Sequence, residues 1–241
     1  MPDPNGVLLA HVNTEKISRE QLAAVQCPES TDTHKPIPHH LLINSLEETL
    51  GFRHISIVRS EFAVSQDGNR MFGLLEIDQT FTGCRFALGV RNSHDKTMRL
   101  AMTIGYRVFV CDNMSFHGDF TPVLAKHTKN FVLTRALSAG VDDMQRNFQP
   151  MVKAVDGWRE RQLSDAAAKL VIYRAFVEGE LEAPGHLDKR VHDLYFNPQH
   201  EEFQPRTMWS LTNAFTSAFK ELEPIPQFRA TGKLAGFLER V

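Results

Sequence analysis

The sequence predicts an α+β fold: an antiparallel β-meander of about four strands covered on one face by helices, followed by a helical C-terminal half. Three observations carry that expectation. Residues 52–111 alternate apolar and polar side chains in runs broken by short turn sequences, the period-two pattern of half-buried strands joined by hairpins. After Phe116 the alternation gives way to helical spacing. Strands that precede helices in this way pack as a sheet with helices on a face. With 42% hydrophobic residues over 241 positions, the chain can bury a sizeable core. We read it as a single domain over 1–241, with N-terminal helices (1–51), the meander (52–116) and a helical part (117–241).

Each element has a local reason. Residues 15–26, EKISREQLAAVQ, read as a short helix with Asn13 or Thr14 as its cap. Residues 28–36 are a polar connector. PIPHHLLINSLEETLG is a stronger helix: Pro38 suits a first turn, Leu42, Leu46 and Leu50 recur every four residues, and Gly51 suits the stop. The first strand is expected over 52–64. SQDGN (65–69) turns the chain, because Asp67-Gly68 tolerates positive φ. Strands at 70–78, 84–92 and 99–111 follow, with TFTG (80–83) as the second turn.

In the second half, Thr121-Pro122 opens a helix running to about Gly140, and the helical stretch beyond it is kinked or broken at Pro150. Ser164 caps DAAAKLVIYRAFVEGEL, residues 186–196 form a short helix, and 198–206 form a loop. Thr207 caps MWSLTNAFTSAFKEL, which Pro224 and Pro226 stop.

Composition removes some classes. A net charge of −2 excludes a chain basic all over, though not a basic patch. Cys27, Cys84 and Cys111 are scattered with no CxxC spacing, which fits reduced thiols and a cytoplasmic location. The N-terminus, MPDPNGVLLAHVNTEK, lacks a basic segment followed by a long apolar one, so secretion is not expected. No apolar run reaches the length of a membrane helix. GxGxxG, Walker A, GxSxG and HExxH patterns are absent, and His39, His40, His94, His117 and His127 show no zinc-like spacing with cysteine. No cofactor is expected, and a metal ion is left open only by the number of histidines.

Two constellations point to chemistry. The first is a row of arginines in single alternation phases: Arg53 and Arg59, Arg85 and Arg91, Arg99 and Arg107. Ala87, Gly89, Ala101 and Gly105 stand between them, which would leave backbone accessible below a positive rim. Guanidinium groups bind phosphate bidentately, and Phe109 on the same face suits base stacking. The competing reading is a solvated face whose arginines pair with carboxylates such as Glu61 and Glu76.

The second constellation is a pair of polar clusters flanking the apolar run 100–110. Arg91, Asn92, Ser93, His94, Asp95 and Lys96 precede it, and Cys111, Asp112 and Asn113 follow it. His94-Asp95 is a candidate for general-base work or metal ligation, against a turn in which Asn92, Ser93 and Asp95 bond to nearby backbone. Cys111 reads as an inert thiol at a strand end. Trp209 and Asn213 are spaced to straddle the edge of a helix's core face.

PIPHHLL (36–42), RMFGLLEI (70–77), GVRNSHDKTMRLAMTIGYRVFVCDNMSFHGDF (89–120) and TMWSLTNAFTSAFKEL (207–222) together resemble the phage- and plasmid-associated domain-of-unknown-function family 932. The resemblance covers most of the chain. It implies mobile-element or genome-maintenance surroundings, and a shared importance of Arg91 to Lys96 and Cys111 to Asn113, but supplies no activity. The layout of a meander before a long helix is also broadly like the core of single-strand annealing proteins, by architecture alone.

The leading expectation is therefore a nucleic-acid-binding protein without covalent chemistry, acting on single-stranded DNA by binding or annealing. Arg53, Arg59, Arg85, Arg91, Lys96, Arg99 and Arg107 would hold phosphates. One alternative is a hydrolase acting on nucleic acid or a nucleotide, centred on Asn92, His94 and Asp95, with Cys111 and Asn113 from a neighbouring subunit. The other is a structural or partner-binding oligomeric protein, with a homo-oligomer as one form.

Overall fold

The computed structural model describes residues 14–111, 113–116, 123–222 and 224–241. Asp112, His117 and the Thr121-Pro122 helix start lie outside the described residues. The fold is α+β. Among the described residues a sheet of seven strands runs β1 (Thr14–Ile17), β2 (Ile57–Ser65), β3 (Arg70–Phe81), β4 (Cys84–Ser93), β5 (Leu100–Val108) and β6 (Met114–Phe116) in spatial order, and β7 (Val123–Ala125) also pairs with β5. The expected four-stranded meander is β2 to β5, each strand lying beside its sequence neighbour.

Turn chemistry sets this meander. Gly68 takes φ +71° between β2 and β3, a conformation costly for a residue with a Cβ. Asp67 holds the turn by accepting from the Ser65 hydroxyl at 2.5 Å and the Asn69 N–H at 3.0 Å. Gly83, at φ +73°, serves the two-residue turn into β4.

Several expectations are corrected. Thr14–Ile17 is not the start of a helix but an edge strand, paired antiparallel with Phe62–Ser65. The helix is α1 (Arg19–Ala24), and its cap is Ser18, joined to Gln21 in a reciprocal capping box. Helix α2 (His39–Gly51) buries Leu42, Ile43, Leu46 and Leu50 as expected. It is followed by a turn through His54, at φ +57°, so β2 begins at Ile57 and not at 52. Downstream, β7 and a loop occupy the stretch expected to be helical, because Val123–Ala125 find backbone partners on Met102–Leu100.

Helix α3 (Leu133–Glu160) then runs unbroken through Gly140 and Pro150. Helices α4 (Asp165–Phe176), α5 (Asp188–Phe196), α6 (Met208–Phe219) and α7 (Pro224–Leu238) complete the chain. Ser164 and Thr207 cap α4 and α6 as expected, each accepting from an N–H three residues on. Pro224 and Pro226 do not end the helical region. They lie in the first turn of α7, where a missing N–H costs no intrahelical bond.

Burial also departs from expectation. Phe62–Ser65, Leu74–Ile77, Phe86–Val90 and Leu100–Tyr106 are continuously buried, so the middle of the sheet is covered on both faces. Ala87, Gly89, Ala101 and Gly105 are inside, not an accessible backbone below a rim.

The chain divides into two compact units. The first takes Met1–Thr80, Arg85–Tyr106 and Phe120–Asn147, as far as these are described. The second takes Phe81–Cys84, Arg107–Asp119 and Phe148–Val241, with the same limit. Leu42, Leu46, Leu75, Leu88 and Ile104 are fully buried in the first unit. In the second, Phe215 collects Phe176, Phe219 and Phe237 around it at ring-centroid distances of 5.7, 6.0 and 6.4 Å.

Candidate functional site

The expected arginine row is not an open array. Arg53 lies in the turn after α2 and belongs to no strand. Its guanidinium donates to Asp142 at 2.6 Å, to the Ser138 hydroxyl at 2.7 Å and to the Thr49 carbonyl at 3.2 Å. Arg59 sits on β2 opposite Glu76 and pairs with Glu61 at 3.0 Å. Arg85, Arg91 and Arg107 are half-buried and already engaged in contacts. Arg99 precedes β5 by one residue and is exposed. The shared phase fails because β2 begins later than residue 53 and β5 begins after residue 99.

Cations gather elsewhere in the first unit. His34 is buried, and its ring lies between two backbone carbonyls, that of His127 at Nδ1 (3.0 Å) and that of His94 at Nε2 (3.0 Å). A neutral ring can satisfy only one of the two. The Lys35 N–H also donates to the His127 carbonyl at 3.2 Å, and His34 forms a β-bridge with Thr128. Pairing of Leu100 with Ala125 sets Arg99 beside Lys126. Three chain segments (34–35, 94–99 and 125–129) are thus tied to one place. They carry Lys35, Lys96, Arg99, Lys126 and Lys129, all exposed. Among the described residues none of these five forms an ion pair. Lys96 adopts φ +64°, in the left-handed region that side chains with a Cβ disfavour.

Beneath these loops is a buried imidazole cluster. His39, at the start of α2, donates from Nε2 to the Gly68 carbonyl at 3.0 Å. Its Nδ1 accepts from the Asn92 amide at 2.9 Å, and that amide also donates to the Ile37 carbonyl at 2.8 Å. His94 stacks on His39 at 3.9 Å and donates from Nε2 to the same Ile37 carbonyl at 3.1 Å. Burial pushes His39 down to about 4, with the His94 ring adding to the effect. Burial, then the neighbouring His34, takes His127 to about 4 as well, and burial lowers His94.

Asp95 does not orient His94. Its carboxylate accepts from the Ser93 hydroxyl at 2.6 Å and from the Thr97 N–H at 3.0 Å and hydroxyl at 2.5 Å. Partial burial raises its pKa, but these bonds outweigh that and hold it below the ordinary carboxylate value. Asn92, Ser93, His94 and Asp95 therefore form a turn and its buried anchor. Among the described residues, no three or more His, Cys, Asp or Glu side chains are arranged to hold a metal ion.

The other polar cluster belongs to the second unit. Cys111 donates from Sγ to Asn213 Oδ1 at 3.8 Å, and Asn113 donates from Nδ2 to the same oxygen at 3.1 Å. Ser217 donates to Asn113 Oδ1 at 3.0 Å, and Lys220 Nζ donates to the Cys111 carbonyl at 2.7 Å. Asn213 is not at the edge of a core face: it is 2% exposed, inside this network. Trp209 is core, with the Arg159 guanidinium 4.4 Å from its ring centroid. Beside the network lies a cavity of about 190 Å3, lined in part by Cys111, Arg190, Ser210, Asn213, Ser217 and Lys220. Burial pushes the Cys84 thiol up to about 12, so it stays protonated.

Lys35, Lys126, Lys129, His34, Arg190 and Lys220 were not singled out by the sequence. Each is an ordinary polar residue until strand register or helix packing brings it to its neighbours.

No curated protein and no solved structure is significantly similar to the chain. The family model described as "Domain of unknown function (DUF932)" matches residues 30–235, which include the His39–Asn92–His94 cluster, the basic loops and the Asn113–Asn213 network. The chain belongs to the DUF932 family.

Proposed function

We propose that the protein binds nucleic acid, single-stranded DNA in the first instance, through the basic loops around His34 and without covalent chemistry. The observation that carries this reading is the gathering of Lys35, Lys96, Arg99, Lys126 and Lys129 with no ion pair among the described residues. Exposed cations held together by buried backbone bonds keep their charge available, and each phosphate they neutralise releases counterions. The cations sit on adjoining loops and not on a helix shaped for a major groove, which favours a single strand. A mobile-element or genome-maintenance role in the cytoplasm is the setting that goes with this reading. Among the described residues no helix is long and apolar enough to cross a membrane.

The hydrolase alternative has less behind it, since His94 and Asp95 turn to different partners. The test is a fluorescence-anisotropy titration with a labelled single-stranded oligonucleotide at low and moderate salt. Binding should weaken with salt along a log–log slope of about −3.5, the value for five phosphate contacts on a single strand. Absence of binding at micromolar protein in low salt would overturn the reading.

A further inference from the structure

Helix α4 of the second unit is apolar on two sides. All of its residues except Asp165, Lys169 and Arg174 are apolar, and Ala168, Val171, Ile172 and Ala175 form its buried face. Leu170, Tyr173 and the following Val177 are 56%, 50% and 60% exposed. Their spacings of three and four put them in one stripe opposite the buried face. A helix apolar all round is one that is covered all round, and an exposed apolar patch rimmed by polar groups marks an interaction surface. We propose that this face of α4 docks an acidic amphipathic helix of a partner protein.

The shape and the charge of the surface choose that occupant. Beside the stripe, between α4 and α5, lies a surface hollow of about 260 Å3 bordered by Ile172, Tyr173 and Val177. That is below the ~300–1,000 Å3 of pockets that enclose a small ligand, so the hollow suits an anchoring side chain delivered by a larger body. Its rim is basic. Lys169 of α4 and Lys189 of α5 are exposed there, and neither forms an ion pair among the described residues. Lys169 is held 5.4 Å from the centroid of the Phe196 ring. Asp188 also borders the hollow, but its carboxylate accepts from the Lys189 N–H at the start of its own helix. On the other flank of α4, Arg174 is paired with Glu180 at 2.6 Å, so the uncompensated charge lies on the hollow side. A helix with apolar anchors at i, i+3 or i+4 and i+7 and carboxylates on its flank complements both features. A second copy packed rim to rim would set lysine against lysine, which like-charge repulsion disfavours.

The test uses the full chain and two labelled synthetic helices with the same stripe of leucines, one with glutamates on the flanks and one with lysines in their place. Fluorescence anisotropy follows binding without nucleic acid, so the result is separate from the fate of the oligonucleotide reading. We expect saturable binding of the glutamate helix, about tenfold or more tighter than of the lysine helix. Leu170→Glu should abolish it. Lys169→Glu with Lys189→Glu should reverse the preference towards the lysine helix. These side chains are exposed, and circular dichroism with thermal unfolding checks that the variants stay folded.

Four results overturn the proposal. One is the absence of saturable binding, and another is a preference that the Lys169 and Lys189 reversal leaves unchanged. A third is a loss in Lys126→Glu with Lys129→Glu as large as that in Leu170→Glu, which would place the glutamate helix on the basic loops. The fourth is a dimer of the chain alone, seen by sedimentation under reducing conditions and dissociated by Leu170→Glu, which would make a second copy the occupant.

Discussion

Asn113 and Asn213, one hundred positions apart in the chain, are joined directly: the Asn113 amide donates to both the side-chain oxygen and the backbone carbonyl of Asn213, each at 3.1 Å. Both residues are buried, at 1% and 2% exposure. Removing either side chain breaks the Asn113 Nδ2–Asn213 Oδ1 bond and leaves a buried polar atom short of one partner, which typically costs about 1–3 kcal/mol. Asn113→Ala and Asn213→Ala should each lower stability by that order in urea unfolding. The double variant should cost less than the sum, with a coupling of about 0.5–3 kcal/mol. Strict additivity would show that the two amides do not act as a unit.

The imidazole cluster predicts acid sensitivity with a definite sign. His39 and His127 fall from an ordinary 6.5 to about 4 in the folded chain. The folded state therefore binds fewer protons than the unfolded one between those values. Their contribution is complete above about 6.5 and is lost as pH falls towards 4, amounting to at most about 3–4 kcal/mol for each residue at about 1.4 kcal/mol per unit. Asp67, held at about 2 by the Ser65 and Asn69 bonds, loses its contribution only below its ordinary 3.8, outside this window. Urea unfolding at pH 7.5, 6 and 5 should show a steady loss of stability. His39→Gln should be weaker at pH 7.5 yet flatter across the range. A wild-type slope no steeper than that of the variant would remove the cluster as its cause.

Elements with local chemistry were legible in the sequence. Helix α2 announces itself through its leucine spacing, α4 and α6 through Ser164 and Thr207, and the β2–β3 hairpin through Asp67-Gly68. The misread elements depend on partners far along the chain. Thr14–Ile17 is a strand because Phe62–Ser65 offers an edge, while the helix-forming residues just after it draw a local reading into helix. Alternation suggested a half-exposed sheet, but strands covered on both faces carry no such rule, and the small residues at 87, 89, 101 and 105 are buried. The site was legible only in part. Asn92 and His94 drew attention as a motif, but their carbonyl partners on Ile37 and the lysines at 35, 126 and 129 emerge only from tertiary pairing.

Arg53 and the loop lysines separate two views of the binding surface. Arg53 is committed to Asp142 and Ser138, so Arg53→Ala should leave oligonucleotide affinity within error and slightly lower stability. Lys126→Glu with Lys129→Glu should weaken binding strongly and reduce the magnitude of the salt slope by about 1.4, at ~0.7 per phosphate contact on a single strand. The opposite pattern in the same anisotropy assay would return the interface to the expected arginine row.

Lys96 sets stability against binding at one position. Its φ of +64° places a lysine where glycine is at ease, at a cost of order 1–2 kcal/mol for a residue with a Cβ. The Asp95 bonds to Ser93 and Thr97 hold the loop in that shape, and strained residues held by their surroundings recur at functional positions. Lys96→Gly relieves the strain, partly offset by the greater freedom glycine has when unfolded, so the net gain should be about 0.5–1 kcal/mol in urea unfolding. The same change removes one of the five gathered cations, so affinity for the oligonucleotide should fall and the salt slope should shrink by about 0.7. Lys96→Asn, which tolerates positive φ, should give the same binding loss with a smaller stability gain. A Lys96→Gly protein that is less stable, or that binds as tightly as the parent at every salt concentration, would show that the strain serves no contact with a phosphate chain.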